Sequence, residues 1–220
     1  MSFTRDEIRE AMLLYAVTDR SWLRPGQTLP QVAERVLDHG ATFLQIREKD
    51  LDPEAFEAEA AALKTLCRVR RVPFVVNDSV EIALACGADG VHVGQSDLQG
   101  RDIRAMIGPD RILGISAGTV EEAGAAERAG ADYIGVGAVF GTSTKQNART
   151  MNPQRLREIA GSVSIPAVAI GGIHAGNIGR LAGCGVDGVA VVSAIFGAED
   201  PGAAAAELLT LARQMVTGRG

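Results

Sequence analysis

The sequence predicts one α/β domain, spanning residues 1–220, that folds as a closed (β/α)₈ barrel. Eight short runs rich in Val, Ile and Leu recur along the chain, and Ala- and Leu-rich stretches with helical spacing separate most of them. Strands that are apolar on both faces are typical of a parallel sheet covered by helices. A chain of 220 residues can bury one sizeable core. The predicted strands are 13–18, 43–47, 73–77, 90–93, 112–116, 133–136, 167–170 and 188–192.

The helical segments and their ends support the same fold class. Helical spacing is clearest at 56–69, 120–129 and 203–216. Three of the predicted strands are preceded by a Gly-X-Asp motif, at 87–89, 130–132 and 185–187. Glycine can end a helix where the chain turns back into the sheet, so these repeats indicate structure rather than chemistry. An open doubly wound sheet is the alternative, but a barrel brings the polar ends of all strands to one mouth.

Composition and charge disfavour several classes of partner. The formal net charge of −5 disfavours nonspecific binding to nucleic acid or to an anionic membrane. No apolar run approaches the ~20 residues that a spanning helix needs, and the first residues are charged rather than an apolar leader. Cys67, Cys86 and Cys184 are widely spaced, which suggests buried thiols rather than disulfides or a zinc site. We therefore expect a cytoplasmic protein with no nucleic-acid or membrane partner.

The clearest functional pattern lies at the end of the second predicted strand. Gln45, Arg47 and Lys49 occupy alternate positions, so their side chains share one face if the strand is regular. Glu48 would then point to the opposite face and either support the site residues from behind or serve a structural role. Because α/β folds bind ligands at the carboxyl ends of their strands, this face predicts an anion site.

Polar residues also follow the third, fourth and fifth predicted strands. Asp78 and Asp97 would lie on neighbouring loops, where they could hold Mg²⁺, an ion that favours carboxylate oxygens together with phosphates and water. Asp78 could instead cap the next helix, and Asp97 a helix that starts near Leu98. Asn77 and Ser116 end the third and fifth strands close by.

The last three strand ends predict a phosphate site. A stretch after the sixth strand offers hydroxyls, backbone N–H groups and one cation, although a solvated loop is the alternative. The turns after the seventh and eighth strands lie where such barrels often bind phosphate through loop amides. The residues concerned are Thr142, Ser143, Thr144, Lys145, Gly172, Val192 and Ser193.

The histidines give no clear acid–base site. His39 and His174 fall near helix ends, whereas His92 lies inside the fourth strand and could either belong to the core or line the mouth. No orienting partner for His92 is evident, and no Ser-His-Asp or Cys-His combination can be placed. The sequence therefore favours chemistry driven by charge stabilisation.

Taken together and in order, these motifs resemble the thiamine-phosphate synthase family, and the resemblance extends from about Leu14 to Phe196. It implies a TIM barrel and a transferase. The implied reaction joins a pyrimidine-methyl diphosphate to a thiazole phosphate with Mg²⁺ and releases pyrophosphate. The motifs lie at 45–49, 77–78, 94–97, 114–116, 142–145, 171–173 and 192–193.

The resemblance also implies roles for individual residues. The pyrimidine diphosphate would contact Gln45, Arg47, Lys49, Asn77, Ser116 and Lys145, of which Arg47, Lys49, Ser116 and Lys145 would be catalytic. The metal would bind Asp78 and Asp97. The thiazole phosphate would contact Thr142, Ser143, Thr144, Gly172, Val192 and Ser193. Departing pyrophosphate needs its growing charge stabilised, and the attacking thiazole nitrogen has no proton to lose, so no base is required.

Two departures and two alternatives accompany this interpretation. Ile46 replaces a leucine of many relatives, which is near-isosteric, and Gly118 lies where many carry histidine.

A thiazole-phosphate isomerase paralogue would need a proton-transferring group but no diphosphate or metal site, so the retained Arg47, Asp78 and Asp97 argue against it. A non-catalytic ligand-binding barrel is the other alternative. The partners expected are two small phosphorylated heterocycles, and a homo-oligomer is possible.

Overall fold

The computed structural model describes residues 3–141 and 151–218, and they form a closed barrel of eight parallel strands. Each strand pairs with the next in sequence, and the first pairs with the last to close the sheet. All eight predicted strands are present, with bounds within one residue of those predicted. The strands are β1 (Leu14–Val17), β2 (Phe43–Ile46), β3 (Phe74–Asn77), β4 (Gly90–Val93), β5 (Ile112–Ala117), β6 (Tyr133–Gly137), β7 (Ala167–Ile170) and β8 (Gly188–Val191).

Helices surround the barrel, and three of them correspond to the three predicted helical segments: Pro53–Arg70, Val120–Arg128 and Pro201–Thr217. No helix in the described ranges is both long enough and apolar enough to cross a bilayer. The helices are α1 (Arg5–Ala11), α2 (Leu29–Asp38), α3 (Pro53–Arg70), α4 (Val80–Ala85), α5 (Ile103–Ile107), α6 (Val120–Arg128), α7 (Pro153–Ala160), α8 (Ser193–Phe196) and α9 (Pro201–Thr217).

The connection from β7 to β8 departs from the regular alternation of strand and helix. Its residues, all of them described, form a single 3₁₀ turn at Ile178–Leu181 instead of an α-helix. Gly176, Gly179, Gly183 and Gly185 lie within or beside this turn. Because each glycine costs about 1 kcal/mol in a helix relative to alanine, this connection does not sustain one.

Two apolar layers form the core. The inner layer fills the barrel with side chains such as Tyr15, Phe43 and Tyr133. Ile8 and Met12 from the α1 segment pack against this layer at the amino-terminal end of the strands. The outer layer lies between the strands and the surrounding helices. Since α1 covers the amino-terminal end of the barrel, access to the interior remains at the carboxyl ends of the strands.

Side chains that precede the even-numbered strands tie the barrel together at its amino-terminal end. Thr42 accepts a hydrogen bond from the backbone N–H of β1, and the aspartates of the three predicted repeats do the same for β3, β5 and β7. Each aspartate also pairs with a cation from a helix. The bonds run from Leu14 to Thr42, Phe74 to Asp89, Leu113 to Asp132 and Ala167 to Asp187, and the cations are Lys64, Arg104 and Arg9. The repeats are therefore structural, as predicted.

The three cysteines are free thiols. Cys67 and Cys184 are buried as predicted, whereas Cys86 is only partly buried. Burial raises the pKa of the Cys67 thiol to about 12. Because the thiolate is the reactive form, Cys67 is an inert part of the core.

Candidate active site

A cavity of about 750 Å³ opens where the eight strands end. Every strand, or the residue directly after it, contributes to its wall. A cavity of this size suits a small organic ligand. The predicted residues that line it are Gln45, Arg47, Asn77, Ser116, Gly172, Val192 and Ser193.

The end of β2 brings two of the three predicted anion-site residues to the cavity. Gln45 is buried in the strand, and Arg47 lies one residue beyond it, with its backbone N–H donating to Thr18 Oγ1 at 3.0 Å. Lys49 is exposed and does not line the cavity. The regular strand ends at Ile46, so the alternation of faces does not extend to Lys49.

Glu48 faces away from the cavity, as expected. Its side chain is only 2% exposed and forms an ion pair with Arg20 at 2.7 Å, while Arg20 also pairs with Glu59 of α3. Burial raises the pKa of Glu48, and no partner in the described parts of the chain binds its buried Oε1 atom. Glu48 therefore anchors the segment that carries Arg47 to the helical layer behind it.

Neither aspartate of the predicted metal site caps a helix. Ser79, rather than Asp78, caps α4 by accepting the N–H of Ile82. Asp102 caps α5, and the residues that directly follow Asp97 form turns, not a helix. The capping alternative for Asp97 is wrong because no helix starts there. That for Asp78 is wrong because this residue has a left-handed backbone with φ of 64°, whereas an N-cap residue is normally extended.

Both aspartates are instead hydrogen-bonded to backbone groups at the end of β4. The N–H of Asp78 donates to the His92 carbonyl at 2.8 Å, and Asp97 Oδ2 accepts the N–H of Gly94 at 2.8 Å. Asn77 Nδ2 also donates to Asp78 Oδ2 at 2.6 Å. No group of three or more His, Cys, Asp or Glu side chains placed to hold a metal occurs in the described ranges. Two carboxylates at adjacent strand ends nevertheless match the oxygen donors that Mg²⁺ prefers when phosphates and water complete its shell.

His92 has orienting partners that are far away in the sequence. Its Nδ1 atom lies 2.9 Å from the Tyr133 hydroxyl, and its Nε2 atom lies 2.9 Å from Ser116 Oγ. The Tyr133 hydroxyl lies 2.8 Å from that of Tyr15, which accepts a hydrogen bond from Gln45 Nε2 at 2.6 Å. Burial raises the pKa of both tyrosines, so both stay neutral. The expectation that His92 lacks an orienting partner is therefore wrong.

Two charged residues that the sequence analysis missed occupy the wall around Gly118. The Gly118 N–H donates to Glu122 Oε2 at 2.6 Å, and Arg155 Nη2 donates to the Gly118 carbonyl at 2.9 Å. Both side chains line the cavity. The sequence did contain a signal for Arg155, since Asn152 followed by Pro153 marks a helix start and puts Arg155 in its first turn.

The turns after β7 and β8 contribute three of the residues predicted to bind the thiazole phosphate. Gly172 has φ of +65°, and a β-carbon there would overlap the Gly141 carbonyl oxygen, so only glycine fits. Val192 and Ser193 lie where β8 leads into α8. Four further predicted residues lie outside the described residues: Thr142, Ser143, Thr144 and Lys145.

The fold and the site together define a TIM-barrel enzyme with a cavity for small ligands, lined by both polar and apolar residues, at the carboxyl ends of its strands. A family model described as thiamine monophosphate synthase matches residues 14–195, and the chain belongs to this family. Its members are transferases.

Individual relatives agree with this assignment. The chain is 48% identical to the thiamine-phosphate synthase of Ruminiclostridium cellulolyticum over 198 residues, covering 90% of this chain and 94% of the relative. It is 45% identical to that of Methanobrevibacter smithii, covering 89% and 93%. A solved structure of thiamine phosphate pyrophosphorylase from Pyrococcus furiosus is 38% identical with a TM-score of 0.86, covering 95% of this chain and 99% of that one.

Proposed function

We propose that this chain joins an aminopyrimidine-methyl diphosphate to a thiazole phosphate, giving thiamine phosphate and pyrophosphate. The observation that carries the proposal is the convergence of Gln45, Arg47, Asn77 and Ser116, from the ends of β2, β3 and β5, on one cavity of about 750 Å³. These are residues that the family resemblance assigns to the pyrimidine diphosphate. The cavity is large enough for both substrates to meet inside it.

The first task of the site is to let the diphosphate leave. The bond between the methylene carbon and the diphosphate oxygen breaks, and its electron pair goes to the oxygen. The pyrimidine amino group delocalises the positive charge that remains on the carbon. Arg47, aimed into the cavity from the end of β2, would stabilise the charge that grows on the leaving oxygen. We assign supporting roles to Lys49 and Lys145 by resemblance.

The second task is to hold the nucleophile. The wall that contains Gly172, Val192 and Ser193 would bind the thiazole phosphate and thereby place the thiazole nitrogen near the methylene carbon. The nitrogen lone pair forms the new carbon–nitrogen bond without losing a proton. The reaction therefore needs no general base, and the buried position of His92 is consistent with this.

We assign Mg²⁺ to Asp78 and Asp97. When bound, the ion would neutralise part of the negative charge of the diphosphate. The Asp97 carboxylate accepts the N–H of Gly94 directly after β4, and the backbone N–H of Asp78 donates to the His92 carbonyl of β4, so both residues are held at the end of this strand, which supports the assignment. Asn77, which lines the cavity and donates to Asp78, would link the ion's ligand to the diphosphate site.

The test is to incubate the purified protein with both phosphorylated substrates and Mg²⁺ and to measure pyrophosphate and thiamine phosphate. Formation of both products in equal amounts is expected, and the absence of pyrophosphate would refute the proposal. Rearrangement of the thiazole phosphate alone would identify an isomerase. Substrate binding without any product would identify a ligand-binding barrel.

A cytoplasmic location and a homo-oligomer stay predictions. Support for the first comes from three cysteines that are free thiols. Sedimentation velocity of the purified protein tests the second.

A further inference from the structure

We propose that Tyr15, Tyr133 and His92 act as positioning residues that set the hydrogen-bonding character of Gln45 and Ser116. Together the five residues form one directional chain of hydrogen bonds across the inside of the barrel. The consequence for substrate selection rests on the proposed function, whereas the chain itself does not.

The chain has no gap along its length. The four donor–acceptor distances are 2.6 Å from Gln45 to Tyr15, 2.8 Å between the tyrosines, 2.9 Å from Tyr133 to His92, and 2.9 Å from His92 to Ser116. Tyr15 and Tyr133 are at most 1% exposed. Each neutral tyrosine hydroxyl has a single hydrogen, so it can donate to only one neighbour in the chain.

The direction of the chain follows from the donor at one end. Gln45 Nε2 donates to Tyr15, and the buried Tyr15 hydrogen is directed to Tyr133, because no other acceptor in the described parts of the chain is bonded to this hydroxyl. The Tyr133 hydrogen is then directed to Nδ1 of His92. A neutral histidine that accepts at Nδ1 has its hydrogen on Nε2, which donates to Ser116 Oγ.

The two ends of the chain present opposite groups to the cavity. Gln45 Oε1, which has no hydrogen-bond partner among residues 3–141 and 151–218, remains as an acceptor. The Ser116 hydroxyl, which accepts from His92, keeps its own hydrogen to donate. Both residues line the cavity.

This arrangement matches the edge of an aminopyrimidine, in which an amino donor adjoins a ring-nitrogen acceptor. A glutamine that is free to rotate could accept from an amino group or donate to an oxo group equally well. Within the chain, turning the Gln45 amide over would require the two tyrosines, His92 and Ser116 to reverse their hydrogens together. The buried tyrosines would therefore make the site reject the oxo analogue, although they need not touch the part of the substrate that differs.

The first experiment reads the His92 tautomer by heteronuclear NMR of the histidine ring nitrogens in the substrate-free protein. The wild type should show hydrogen on Nε2 alone. Tyr15→Phe should yield a mixture of both tautomers, although Tyr15 reaches His92 only through Tyr133. Phe43→Leu is the matched control, because Phe43 packs against both tyrosine rings without joining the chain. This variant should keep the wild-type tautomer.

Hydrogen on Nδ1 in the wild type, or an unchanged tautomer in Tyr15→Phe, would overturn the proposal. Tyr133→Phe offers a second variant that breaks the chain at its centre, and the wild-type measurement needs no variant at all.

The second experiment measures kcat/KM for the aminopyrimidine diphosphate and for its oxo analogue. Tyr15→Phe and Tyr133→Phe should each lower the wild-type preference for the amino compound about tenfold, mainly through its KM, and leave the KM of the thiazole phosphate unchanged. An unchanged preference would refute the role in selection. A wild type without turnover would refute the proposed function, while the NMR result would still decide whether the chain exists.

Discussion

Replacement of Gly114 by alanine should damage both the stability and the site of this protein. Gly114 lies in β5 and pairs in register with His92 on one side and Tyr133 on the other. A β-carbon at this position would overlap the phenol ring of Tyr133 and lie 2.5 Å from His92 Nδ1. Both rings would have to move, and the hydrogen bond between them would be lost.

The magnitude follows from three contributions. Overpacking of a rigid core costs roughly 1–3 kcal/mol. Leaving the Tyr133 hydroxyl and His92 Nδ1 without their hydrogen bond costs roughly another 1–3 kcal/mol. Replacing a glycine lowers the entropy of the unfolded chain, which stabilises the folded state by about 0.4–1 kcal/mol. We therefore expect Gly114→Ala to lower the free energy of unfolding by about 3 kcal/mol.

Urea unfolding at fixed pH, followed by far-ultraviolet circular dichroism, measures this change. Gly124→Ala is the matched control, because a β-carbon there would lie in α6 at 3.2 Å from the flexible end of Arg128. Alanine in a helix interior should stabilise the protein by about 0.5–1 kcal/mol. A Gly114→Ala variant as stable as wild type would show that the rings can move at no cost and would refute the reasoning.

Three further predictions concern charge. Arg47→Ala should raise the activation free energy by about 2 kcal/mol and so lower kcat roughly 30-fold in a pyrophosphate-release assay. Replacement of the exposed Arg68 by alanine should leave kcat unchanged. Asp78→Asn combined with Asp97→Asn should raise the Mg²⁺ concentration needed for half-maximal activity at least tenfold, and an unaltered titration would remove both from the metal site. Burial raises the pKa of Glu48 above its ordinary 4.5, so the folded state holds this proton more tightly than the unfolded state. As the pH falls through the folded-state pKa towards 4.5, wild type should gain stability relative to Glu48→Gln in urea unfolding, and parallel pH profiles would contradict this.

The fold was predictable because burial on both faces leaves a direct trace in the sequence. Runs such as Phe74–Asn77 and Ala167–Ile170 are apolar nearly throughout, and their ends coincide with polar residues or glycine. The same rule placed Gln45 and Arg47 in the cavity. It could not place Lys49, because the periodicity of a strand says nothing about residues beyond its end.

The parts of the site that were not predictable depend on contacts across the barrel. Tyr15 and Tyr133 are separated by 118 positions, yet their hydroxyls are hydrogen-bonded. Barrel closure alone brings them together, and each residue by itself looks like an ordinary apolar strand position. The capping alternative at Asp78 was wrong for a different reason, since the choice of cap depends on a backbone angle that residue type does not determine.

The four bonds between Thr42, Asp89, Asp132, Asp187 and the strands before them divide the barrel into quarters. Each quarter consists of an odd strand, its connection, and the even strand that holds it. A circular permutation that opens the chain between quarters leaves all four bonds within continuous sequence, whereas one that opens it inside a quarter separates the two partners of one bond. The four equivalent bonds thus divide a continuous closed sheet into four similar units. New chain ends should be tolerated best in the connections between these units.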